Sequence, residues 1–116
     1  MTVLPRSSRL PFADWGHHLN GSPLVILSRS VRLQMVANNA KGAPLPLLVT
    51  IPATKLTSEQ LTYIRAGACF RAAGRLELWP SSRFEAPLSV PHLFVTERIE
   101  IDDYWIEHLS AWLDTR

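Results

Sequence analysis

The chain has 116 residues, 47% of them hydrophobic and 19% charged, with 12 Lys and Arg against 10 Asp and Glu. This is enough apolar material for the core of one domain and excludes a disordered acidic or basic tail. A net charge of +2 is too small to mark a nucleic-acid binder by itself, so the positions of the charges matter more than their sum.

The N-terminal MTVLPRSSRLPFADW lacks a continuous apolar segment of the secretory kind, and no run approaches the roughly 18 apolar residues of a membrane span. The one cysteine, Cys69, has no partner for an internal disulfide, which points to a reducing compartment. A cytoplasmic protein without membrane association is expected.

Residues 1–22 read as an arm with a short strand around Leu10 to Trp15, ending at the turn-forming Asn20-Gly21-Ser22-Pro23. In the next run, PLVILSRSVRLQMVANN, Val31, Leu33 and Met35 alternate with Arg32, Gln34 and Val36, while the preceding LVIL is apolar on both sides. The expectation is one long strand, buried at its start and half-exposed at its end, with a bulge or bend at Ser28-Arg29-Ser30. Residues 37–44 form a hairpin loop with Lys41 near its tip. LPLLVTI, 45–51, is a third strand, with Pro46 at an edge or at the start of the ladder.

Thr57 and Gln60 have the spacing of a capping box, and Gly67 follows as a stop, so a short helix is predicted over about 58–66, anchored by Leu61 and Ile64. ACFRAAGRLELW, 68–79, alternates: Phe70, Ala72, Gly74, Leu76 and Leu78 face inward, and Cys69, Arg71, Ala73, Arg75, Glu77 and Trp79 outward. Cys69 reads as a small semi-buried strand residue rather than a nucleophile. A loop with three prolines, PSSRFEAPLSVP, leads to HLFVTERIEI, where Leu93, Val95, Ile99 and Ile101 are the inward phase, disturbed at Glu97. From Asp102 the period becomes helical, with Trp105, Ile106, Leu109, Trp112 and Leu113 on one stripe.

A helix between the third and fourth of five strands is the arrangement of the Greek-key OB barrel, so the expected fold is all-β, an OB-fold barrel over 23–101 with a C-terminal amphipathic helix over 102–116. Alternation follows, because one face of each strand fills a small interior. Gly74 suits a sharp bend at a barrel corner.

The run IRAGACFRAAGRLELWPSSRFEAPLSVPHLFVTERIEI also resembles the fourth-and-fifth-strand hairpin of bacterial single-stranded DNA-binding proteins and of the related PriB primosomal family. The matching positions are Gly67, Phe70, Gly74, Leu76, Leu93, Val95, Ile99 and Ile101, within about a third of the chain. These glycines and apolar residues bear on the fold more than on the activity. Relatives that recruit partners end in a flexible acidic tail, whereas this chain ends in a Trp-containing helix, so tail-mediated recruitment is not implied.

Holding a single strand requires cations for the phosphates and flat side chains for the bases, stacking being worth about 1–3 kcal/mol per base. The outward phase offers Arg71, Arg75 and Trp79, the following loop Arg83 and Phe84, and the other hairpin Arg32 and Lys41. The plain alternative is that these arginines are solvated side chains covering apolar surface. Asp14 with His17-His18 makes a poor metal site, since adjacent residues of an extended chain point apart. Asp102 or Asp103 suits an N-cap, and Glu107 with His108 the wet side of the helix. With no phosphate-cradling glycine loop, paired Cys-x-x-Cys or nucleophile elbow, neither enzymatic activity nor a cofactor is expected.

The leading expectation is therefore single-stranded DNA binding with little sequence preference, accessory to replication, recombination or plasmid maintenance, with RNA as a related ligand. The alternative is a protein-interaction subunit docking through Trp105, Leu109 and Trp112. A homodimer through that helix or an edge strand fits either reading.

Overall fold

In the computed structural model, residues 9–38, 44–80 and 89–114 are described, with side chains over 10–38, 44–77 and 91–108. The central hairpin joins β3 (Ser30–Ala37) to β4 (Leu45–Pro52), antiparallel from Ser30 opposite Pro52 to Ala37 opposite Leu45. Because side chains alternate, Val31, Leu33, Met35 and Ala37 face Leu47, Val49 and Ile51 across one interior, and all seven are buried. The outward phase carries Arg32, Gln34, Leu48 and Thr50.

β5 (Phe70–Pro80) lies between β1 (Arg9–His18) and β6 (Ser89–Val95). β6 also runs parallel to β4, through Leu48–Thr50 opposite His92–Phe94. Since β1 pairs with β5 over Arg9–Gly16 and with β3 over Gly16–His18, the ring β1-β3-β4-β6-β5-β1 is closed. Residues 9–18, grouped with the arm from the sequence, are thus a barrel strand longer than the one anticipated. Gly16 makes the transfer possible. It faces both Ala37 and Phe70, and a Cβ there would collide with the Val36 carbonyl oxygen. Gly74 plays the same part in β5, where the Phe94 carbonyl fills the space a side chain would need.

The stretch before β3 departs from expectation. Leu27 N donates to Ser30 O at 2.8 Å, so Ser28-Arg29-Ser30 reverses the chain instead of bending it. β2 (Val25–Ile26) therefore folds back on β3 as a separate strand, with Val25 opposite Arg32. Leu24 packs on the core, but Val25, Ile26 and Leu27 are 45%, 58% and 41% exposed.

After β4 a 3-10 turn (Ala53–Lys55) leads to α1 (Ser58–Arg65). Both capping-box hydrogen bonds form: Gln60 N donates to Thr57 Oγ1, and Thr57 N to Gln60 Oε1, each at 3.0 Å. Gly67, at φ 97°, ends the helix in a conformation other residues rarely adopt. Ile64 is buried as expected and Leu61 half-buried, but Tyr63, also buried, is an anchor the spacing did not single out.

Leu93, Val95, Ile99 and Ile101 are all buried. Between them the ladder breaks: Thr96 N and Glu97 N share Ala73 O, and a short β7 (Glu100–Ile101) resumes pairing with β5. Asp102 Oδ1 accepts from Tyr104 N at 2.9 Å and so caps α2 (Asp103–Asp114). Of the expected α2 stripe, Trp105 packs on the core while Ile106 is 36% exposed. The side chains of Leu109, Trp112 and Leu113 lie outside those described.

Candidate nucleic-acid interface

Register places four outward side chains in one row around the barrel. Arg32 of β3 faces Thr50 of β4, Thr50 faces Phe94 of β6, and Phe94 faces Arg75 of β5. The next row holds Gln34, Leu48, His92 and Glu77. Directly opposed side chains of neighbouring strands are close enough to interact, so the rows form one surface across four strands.

Their contacts form a chain. Arg32 Nε donates to Thr50 Oγ1 at 3.3 Å, and Thr50 Oγ1 lies 2.8 Å from His92 Nε2. The hydroxyl oxygen has lone pairs for Arg32 and for a His92 Nε2–H alike, and donates to Nε2 instead when the ring proton sits on Nδ1, so the His92 tautomer sets the direction of this bond. The His92 ring stacks on Phe94 at 4.2 Å between centroids and 15° between planes. The Arg75 guanidinium carbon stands 5.6 Å from the Phe94 ring centre, within cation–π range. Burial pushes the His92 pKa below its ordinary value, the nearby Arg32 charge lowers it further, and Glu77 partly opposes both. The imidazole is neutral at pH 7 and acts as a flat support for Phe94.

The electrostatics are mildly positive: Arg32 and Arg75 stand against Glu77, whose Oε2 is 2.8 Å from Arg75 Nε. Arg71 belongs to a different neighbourhood. It faces Trp15 across β1 and β5, and its Nη1 lies 3.2 Å from Glu100 and 3.7 Å from Glu97, so two carboxylates surround it. Exposed pairs of this kind are worth about 0–1 kcal/mol.

The structure thus brings together Arg32 and Arg75 and sets Arg71 apart. Trp79 lies in the β5 backbone opposite Val90, with its side chain outside those described, and Lys41, Arg83 and Phe84 fall outside the described residues altogether. Thr50, His92 and Phe94 were not among the residues expected to form a site. A signal was present: with Leu93 and Val95 inward, HLFV leaves His92 and Phe94 on the opposite phase, and LPLLVTI does the same for Thr50.

Elsewhere, His18 Nε2 lies 3.2 Å from Ser22 Oγ, and among the described residues no three His, Cys, Asp or Glu side chains gather to hold a metal ion. Burial, with Asp102 and Asp14 nearby, pushes the Cys69 thiol up from its usual range, so it is a poor nucleophile at neutral pH.

A closed five-stranded barrel, with a parallel contact between its third and fifth strands and a helix between its third and fourth, is an OB fold. The comparison with solved structures agrees. The mitochondrial single-stranded DNA-binding protein Rim1 of S. cerevisiae superposes with a TM-score of 0.52 at 12% identity, over 79% of this chain and 93% of that one. The small single-stranded DNA-binding protein of Streptomyces coelicolor gives 0.53 at 13% identity, over 81% and 93%. No protein-family model and no curated protein matches the chain in sequence.

Proposed function

We propose that the protein binds single-stranded DNA across the outer face of β3, β4, β6 and β5. The carrying observation is the row Arg32, Thr50, Phe94 and Arg75, in which an aromatic ring backed by His92 lies between two cations. A base stacks on a ring without regard to its identity, while arginines take the phosphates, which gives binding with little sequence preference. The two solved structures compared above are named for single-stranded DNA binding, which supports the reading. Trp79, Arg83, Phe84 and Lys41 are further candidate contacts by residue type alone, and Arg71 contributes where its carboxylate partners release it. On this reading the protein is a non-enzymatic cytoplasmic accessory to replication, recombination or plasmid maintenance, acting as a homodimer, and RNA is a competing ligand on the same face.

A second reading, a protein-interaction subunit, draws on α2, where Tyr104 is 59% and Ile106 36% exposed beside Trp105. A titration with oligo-dT at two salt concentrations separates them. DNA binding gives quenching of the tryptophans and an affinity that falls steeply with salt. No binding at low salt would leave only the interaction subunit.

A further inference from the structure

β4 and β6 run parallel with Thr50 opposite Phe94, so beyond the row both chains leave the platform in the same direction. Five residues past Thr50 is Lys55, and four past Phe94 is Arg98. Both line one cavity of about 350 Å³ at the α1 end of the barrel, together with Thr54, Leu56, Thr57 and Ile99. Ile99 N donates to Lys55 O at 3.0 Å, and Gln60 Nε2 to Ile99 O at 2.9 Å, which fixes the two segments around the opening.

The lining is one-sided in charge. It includes two cations and no carboxylate, and the ion pairs among the described residues use Arg71 and Arg75, not Lys55 or Arg98. Glu97, next to Arg98, is engaged by Arg71, and Glu59 on the first turn of α1 does not line the cavity. Ala53 N donates to the Arg29 carbonyl oxygen at 2.9 Å, which ties this segment to the turn before β3. With hydroxyl groups and cations but no aromatic ring, the cavity suits a phosphate and not a base.

We propose that this cavity is a second DNA subsite, a phosphate clamp formed by Lys55 and Arg98 that holds the strand after it leaves Phe94. The inference rests on the single-stranded DNA reading of the platform. Four to five residues span at most about 17 Å, and the 3-10 turn Ala53–Lys55 shortens that path, a distance within the roughly 4–16 nucleotides that an OB domain occupies. The clamp therefore engages only strands longer than the platform itself.

The test compares wild type with the Lys55→Ala/Arg98→Ala double variant, using labelled oligo-dT of about 5 and about 15 nucleotides over a range of salt. For the longer strand, the slope of log affinity against log salt should shrink by about 0.7–1.4 in the variant, since each phosphate contact contributes about 0.7 on a single strand. The short strand should bind both proteins alike. Lys55→Gln/Arg98→Gln should repeat the result if either alanine variant melts early. Wild-type binding of both lengths with an unchanged long-strand slope overturns the clamp and leaves the platform standing. Failure of wild type to bind either length overturns the platform and the clamp with it.

Discussion

His92 is 2% exposed although it lies on the outer phase of β6, held between Thr50 and the Phe94 ring. Its lowered pKa has a consequence for stability. The folded protein resists a proton that the unfolded chain accepts near pH 6.5, so the stabilisation is fully present above about 6.5 and is lost as pH falls from there through the lower folded-state value. Denaturation midpoints measured between pH 5 and 8 should decline below about 6.5, and His92→Gln, which keeps a polar group for Thr50, should flatten that part of the decline. An identical decline in the variant would mean that another group titrates there. The sequence displayed the outward phase of HLFV but not its neighbours. Arg32, Thr50, Arg75 and Phe94 come from four separate segments, and only the register of the closed sheet brings them into one row. Arg71 shows the converse, since its local pattern is that of Arg75, yet Glu97 and Glu100 surround it only because β7 returns to β5.

Among the elements, α1 was the most legible, because its start and stop signals are local. The predicted span of 58–66 compares with Ser58–Arg65, and the reciprocal Thr57 and Gln60 hydrogen bonds are those the spacing implies. Gln60 has a further bond to Ile99 O, so the cap also ties the helix to the segment between β6 and β7. Thr57→Ala should cost about 1 kcal/mol, seen as a thermal midpoint lower by about 4 °C; an unchanged midpoint would show that the cap is dispensable. β2 was illegible for the opposite reason. An apolar run such as LVIL looks buried on both sides, and nothing local shows that Ser28-Arg29-Ser30 turns back and leaves Val25, Ile26 and Leu27 on the surface. In α2 the helical period was right, but Ile106 is exposed beside the core-facing Trp105.

For the molecule as a whole, barrel closure depends on two close approaches, Gly16 against the backbone of β3 and Gly74 against that of β6. Gly74 was readable as a bend because it interrupts a well-patterned strand, whereas Gly16 lies in a segment whose alternation is weak and which joined the barrel only through its long-range pairing with β5 and β3. Closure also sets the functional geometry: at Gly74 the β5 and β6 backbones are drawn together one residue from Arg75 and Phe94, the pair that ends the row. The central claim is that this row holds single-stranded DNA by stacking on Phe94. The most direct measurement is the affinity of Phe94→Ala for oligo-dT against wild type at the same salt. A loss of about 1–3 kcal/mol, or roughly 5- to 150-fold, is the expected result. Equal affinity in a folded variant would contradict the claim and move the binding surface away from this face.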